Sequence, residues 1–158
     1  MAVKKANNTT IVIDDGTREI PILNKFGQEI CKIYIRPSDW SILDRYKAFM
    51  ASFDDVVKPL EDVGVKADGT AQFEKDWEAI KGVEAEVKRR IDALLDTKCS
   101  DGIFATRNAF SIIGGRFYCE IILDAIGEII ERTLQEETAA SAKRMNKYLS
   151  DDAKVKEK

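Results

Sequence analysis

The stretch "TTIVIDDGTREIPILNKFGQEICKIYIRPSDW", residues 9–40, decides how this chain is read. Ile11 and Ile13 alternate with their neighbours, Asp15-Gly16 follows, and Ile20 and Ile22 alternate again. Asp-Gly between alternating apolar runs is a hairpin signal, because glycine takes positive φ without steric cost. "NKFG" marks a second turn, after which Cys31, Ile33 and Ile35 share one face and Ile30, Lys32 and Tyr34 the other. The pattern predicts a three-stranded antiparallel meander over residues 9–36. Pro21 strains that reading, since a proline in a middle strand cannot donate a ladder bond. "RPSDW" then switches the chain to helix, with Ser38 or Asp39 as the expected N-cap and Pro37 just outside it.

From there the apolar spacing becomes three and four. Leu43, Tyr46, Met50, Phe53, Val57 and Leu60 predict a helix over residues 39–57, closed near Pro59. The glycines of "GVKADGT" break the chain. A second amphipathic helix is expected, with Phe73, Trp77, Ile80, Val87, Ile91 and Leu94 on one face. Residues 99–115 read as irregular chain or a short helix. "GGRFYCEIILDAIGEIIE", Gly114 to Glu131, reads as a tight turn entering a helix with an apolar stripe wide enough to touch more than one neighbour. Past Leu134 the sequence is helix-prone but mostly polar, with Met145, Tyr148 and Leu149 as its apolar residues. The expectation is one α+β domain over residues 9–149: the meander of 9–36, then three to four helices over 37–149. Residues 1–8 are expected to be a disordered N-terminus and 150–158 a disordered tail.

The 158 residues suffice for one ordinary domain with its own core. Apolar residues make up 44% and charged residues 34%, and the net charge is −3. That balance offers no basic stripe for nucleic acid. No run of about 18 apolar residues is present for a membrane span, and no signal peptide opens the chain. There is no histidine, which removes the commonest general base and metal ligand. Cys31, Cys99 and Cys119 are widely spaced and read as reduced thiols of a cytoplasmic protein. Cys119, beside Arg116 at a helix entry, has some features of an activated thiol but lacks a base, so a core position is the preferred reading. The pairs Asp14-Asp15, Asp54-Asp55 and Asp151-Asp152 are scattered, and turn formation or solvated charge explains them better than metal binding. Neither glycine cluster has the spacing of a phosphate-binding loop. No catalytic residue, metal or cofactor is therefore expected. The aromatic residues Trp40, Phe49, Phe53 and Trp77 are the candidate anchors of a partner-binding surface, because such side chains dominate contact energies.

Three blocks in the same order resemble a family of small tail assembly chaperones of siphophages and prophages of Gram-positive bacteria. They are the run from Thr10 to Phe49, the mid-chain "VGVKADGTA", and "FSIIGGRFYCEIILDAIGEII". The resemblance spans residues 10–149. A "D…ERY"-like helix start corresponds to Asp39–Tyr46, and an "NGRFYCENVLEA"-like block to "GGRFYCEIILDA"; Gly114 and Ile121 stand where the family pattern has asparagine. The resemblance implies a non-enzymatic protein that binds the tape measure protein and keeps it soluble while the tail tube forms. Expected partners are the tape measure protein, then the tail tube protein and further copies of the chain. The alternative reading is a structural virion protein of the tail or connector.

Overall fold

A computed structural model describes residues 9–61 and 73–156. The expected N-terminal disorder of residues 1–8 and the "GVKADGT" break lie outside the described residues. Strand β1 (Arg18–Leu23) pairs antiparallel with β2 (Glu29–Ile35), with Ile20 opposite Ile33 and Ile22 opposite Cys31. Their inner face carries Ile33 and Ile35, both buried, with Ile20, Ile22 and Cys31 packed against the core. The outer face is polar: Tyr34 donates to Glu19 at 3.2 Å, and Lys32 Nζ lies 3.2 Å from the same carboxylate. Asn24 builds the connection, its side-chain oxygen accepting from the backbone of Phe26 and Gln28.

The N-terminal sheet thus has two strands where three were expected. Asp14 and Asp15 do form turns, each accepting a backbone N–H two residues on, at 2.9 Å. These turns do not fold Ile11–Ile13 back onto β1. The ladder runs through Pro21 opposite Lys32, and a proline is accommodated in a strand when its missing N–H faces an open edge. That edge is the one a third strand would have used. Ile11, Val12 and Ile13 are left 85%, 89% and 74% exposed.

Helix α1 (Trp40–Val57) is capped by Asp39, whose side chain accepts from Ser41 N at 2.9 Å. It buries Ile42, Phe49 and Phe53, while Leu43, Tyr46 and Met50 pack beside them, and a 3₁₀ turn at Lys58–Leu60 follows. Helix α2 (Phe73–Leu95) runs antiparallel to α1. Arg45 Nε donates to the Leu94 carbonyl at 2.9 Å, and Arg90 Nη1 to Ser52 Oγ at 3.1 Å. The first of these bonds satisfies a carbonyl that the helix end would otherwise leave unpaired. Val83, Val87, Ile91 and Leu94 form the buried face of α2.

Asp96 ends α2 in the left-handed region, φ 53°, and Thr97 N closes back on the Asp92 carbonyl. The Asp92 carboxylate then accepts from the backbone of Cys99 and Ser100 and from Ser100 Oγ, at 2.8–3.0 Å. This anchors the short helix α3 (Ser100–Ile103), which packs on β2; a β-carbon at Gly102 would sit 3.4 Å from Cys31 Cβ. Glu84 on α2 accepts from Ala109 N at 2.9 Å and holds the following segment.

The two-residue strands β3 (Ile112–Ile113) and β4 (Arg116–Phe117) form a hairpin whose corner is Gly114-Gly115, φ 59° and 81°. Positive φ at both corner residues is the tight turn that suits the twist of a hairpin. It delivers the chain into α4 (Tyr118–Lys156), the longest element at 39 residues. Cys119, Leu123 and Ile130 are fully buried, and Tyr118, Ile122, Ile126 and Leu134 nearly so. Gly127 faces α1: a β-carbon there would lie 2.6 Å from Tyr46 Cζ. After Leu134 every residue through Asp151 is exposed. The helix runs on to Lys156, about 33 Å at 1.5 Å per residue. It therefore continues through the region where a disordered tail was expected from residue 150.

Two outcomes follow from this packing. Gly127→Ala is expected to destabilise the fold by about 1–3 kcal/mol in chemical denaturation, because the new methyl meets the Tyr46 ring. In a Tyr46→Ala background the same change should become neutral or favourable, since alanine is the better helix former by ~1 kcal/mol. Burial of Asp92 opposes its charge, but the bonds from Ser100 and Cys99 outweigh that, and its carboxyl is held below the ordinary value of 3.8. Its contribution is thus present above the unfolded pKa and lost as pH falls through the lower folded value. Asp92→Ala should cost roughly 1–3 kcal/mol at neutral pH. The melting temperatures of the variant and the parent should approach each other in acid.

Candidate functional site: a groove between helix α1 and the projecting arm of α4

Helices α1 and α4 run antiparallel, with Tyr46 beside Gly127 and Trp40 at the level where α4 leaves the body. Because α1 starts at Trp40 while α4 continues, the helix face that α1 covers lower down is bare above. The result is an open groove of about 580 Å³ whose walls include Ser38, Trp40, Leu134, Ala142 and Met145. Trp40 is 66% exposed, and Met145, Tyr148 and Leu149 on the arm are 50%, 61% and 63% exposed. Arg18 Nη2 reaches Glu137 Oε1 at 3.4 Å and ties the start of β1 to the base of the arm.

A second cleft of about 380 Å³ lies further down the same side, lined by Leu43, Tyr46, Lys47, Gly127, Glu128 and Glu131. Asp124 also borders it and is paired with Arg116. Burial, then Asp124, Glu131 and Glu128, push the Tyr46 hydroxyl above its ordinary pKa, so it remains a neutral donor.

The four aromatic candidates part company. Trp40 lines the upper groove. Trp77 is 40% exposed on α2 and does not line it. Phe49 and Phe53 are 7% and 5% exposed, with ring centroids 6.0 Å apart in the core, so neither offers a surface to a partner. The cause is the width of the α1 stripe: Ile42, Phe49 and Phe53 form its centre, and Leu43, Tyr46 and Met50 form its edge. Met145, Tyr148 and Leu149 were legible as the apolar residues of the arm; the groove itself is a tertiary feature with no local signal.

The chemical candidates behave as structural residues. Burial, followed by the neighbouring Glu120, pushes the Cys119 thiol up to about 12, and burial with Asp92 does the same for Cys99. The helix entry at Gly114-Gly115 has its donors in use. Tyr118 N and Cys119 N bond the Ser111 and Ala109 carbonyls at 2.8 Å, and Phe117 N bonds Glu120 Oε2 at 3.0 Å. The last contact is one half of a capping box. Among the described residues no cluster of three or more metal-ligating side chains occurs, and no helix is long and apolar enough to cross a membrane. Comparison with protein-family models, with curated proteins and with solved structures returns no match.

The thiol chemistry has a direct readout. In the native protein at pH 8 a thiol-reactive chromophore should leave Cys99 and Cys119 unlabelled over minutes, whereas all three cysteines should label at once in denaturant. Rapid native labelling of Cys119 would contradict its place in the core.

Proposed function

We propose that this chain is a non-enzymatic binding protein of the tail assembly chaperone kind, which holds apolar helices of a tape measure protein in solution while a tail tube forms around them. The sequence resemblance motivates the reading. The observation that carries it is the bare groove and arm, where Trp40, Met145, Tyr148 and Leu149 offer apolar contact area along a preformed helix. An amphipathic helix laid along that face would continue the line of α1, a recurrent mode of helix-in-groove recognition. The groove is open and shallow, which suits a chaperone that must release its client. Trp40 is the anchor of this reading, and Trp77 is a secondary contact outside the groove.

Co-expression tests it. The tape measure protein should be recovered in the soluble fraction, bound to the chain, only when the chain is present. Trp40→Ala should weaken that complex by roughly tenfold or more, as loss of a central aromatic anchor does. A tape measure protein that stays soluble and unbound regardless of the chain ends the proposal.

One observation favours a second reading, a structural virion protein of the tail or connector. Ile11–Ile13 is exposed apolar chain that precedes the first strand of a two-stranded sheet. In an assembly, such a segment would supply the third strand to a neighbouring copy, edge to edge. Mass spectrometry of purified virions separates the two: a structural subunit is present in many copies, a chaperone is absent.

A further inference from the structure

The apolar segment Ile11-Val12-Ile13 is 85%, 89% and 74% exposed, and its last residue adjoins Asp14 at the rim of the groove. Asp14, Gly16 and Arg18 border a hollow of about 310 Å³ together with Ser38 and Glu137, and these last two are also walls of the groove. We infer that residues 11–13 are a strap, open in this structure, that folds into the groove and covers Trp40 while no client is bound.

The chain is held firmly from Asp14 onward. Asp14 and Asp15 accept the N–H groups of Gly16 and Thr17 at 2.9 Å, and Arg36 Nη1 lies 3.9 Å from the Asp15 carboxylate. Gly16, at φ 81°, packs on Ser38: a β-carbon there would lie 3.2 Å from Ser38 Oγ. Two residues on, Arg18 reaches Glu137 at the base of the arm. The root of the strap is thereby fixed beside two walls of the groove, and residues 11–13 pivot on it. A segment tethered so closely meets its site at an effective concentration on the order of millimolar, whatever the concentration of the protein. Weak apolar contact is then enough to close it.

Length and pattern match the groove. Ile11 lies three residues before Asp14, about 10 Å of extended chain. Glu137 to Met145 is eight residues of α4, about 12 Å at 1.5 Å per residue. In extended chain Ile11 and Ile13 face one side and Val12 the other. With the strap seated, Ile13 covers Trp40, Ile11 approaches Met145, and Val12 faces outward. Closure removes from water apolar side chains that stand exposed on both the strap and the groove. The strap takes the surface assigned above to the client, so a client must displace it. That regulatory consequence rests on the function proposed above, whereas closure itself does not.

Acrylamide quenching of Trp40 fluorescence in the full chain carrying Trp77→Phe, with no client present, tests closure. Ile11→Ser combined with Ile13→Ser should make Trp40 more readily quenched and shift its emission to the red. Val12→Ser should leave both near the parent values. All three sites are exposed, so the fold should hold, which an unchanged melting temperature verifies. Equal quenching in the parent and the double variant overturns the strap. So does shielding of Trp40 that grows with protein concentration, which marks pairing between copies. Client binding is read separately, with Trp77 in place. The double variant should bind the tape measure protein more tightly by roughly twofold to tenfold, as loss of a competitor for the site requires. A strap that closes on Trp40 yet leaves client affinity unchanged overturns its regulatory role. A chain that closes its strap and captures no client refutes the client reading alone.

Discussion

Tyr46 lies across Gly127, and that close approach fixes where α1 sits on α4. The absence of a side chain at Gly127 lets an aromatic ring take the space a β-carbon would fill. With α1 held there, Phe49 and Phe53 reach the core, and Arg45 and Ser52 meet α2. Helix α2 then carries Asp92 and Glu84, which organise residues 99–111. That segment in turn receives the first N–H groups of α4. The contacts form a closed circuit from α4 through α1 and α2 back to α4, and the β-hairpin closes one side through Ile33 and Ile35.

The same constraint creates the surface on which function is proposed. Where α1 starts sets where cover for α4 ends. Trp40 stands at that limit, and above it α4 keeps its helical spacing without burial. A helix that is mostly polar gains little from tertiary contact, so the arm rests on intrinsic propensity and on its continuity with the buried half. Ala139, Ala140 and Ala142 supply that propensity. Met145, Tyr148 and Leu149 on the arm are at least half exposed, so the arm is not an extension of the core.

Much of this was legible in local sequence because local chemistry decides it. The alternation of Cys31, Ile33 and Ile35 gave the buried face of β2 correctly, Asp39 capped the helix it preceded, and Gly114-Gly115 marked a tight turn into α4. Features set by distant neighbours were not legible. Ile11–Ile13 alternates like a strand, but Pro21 removes a donor from the edge it needed. Phe49 and Phe53 have the chemistry of binding anchors, and only the position of α2 and α4 determines that they are covered. Leu123 is fully buried along with Cys119, Ile126 and Ile130, because α4 is enclosed more widely than a single face implies. Of the candidate site, Trp40 and the three arm residues were visible as residues; their meeting in one groove required the fold.

The central claim is a division within one helix: residues of α4 up to Leu134 hold the domain together, and those beyond it lie outside the core, on the surface proposed for contact. Ending the chain after Ala139 and measuring thermal unfolding tests this most directly. The expected result is a cooperative transition within a few degrees of the full-length protein, with unchanged near-ultraviolet circular dichroism. Loss of the cooperative transition would contradict the account, because it would mean that the arm is part of the core.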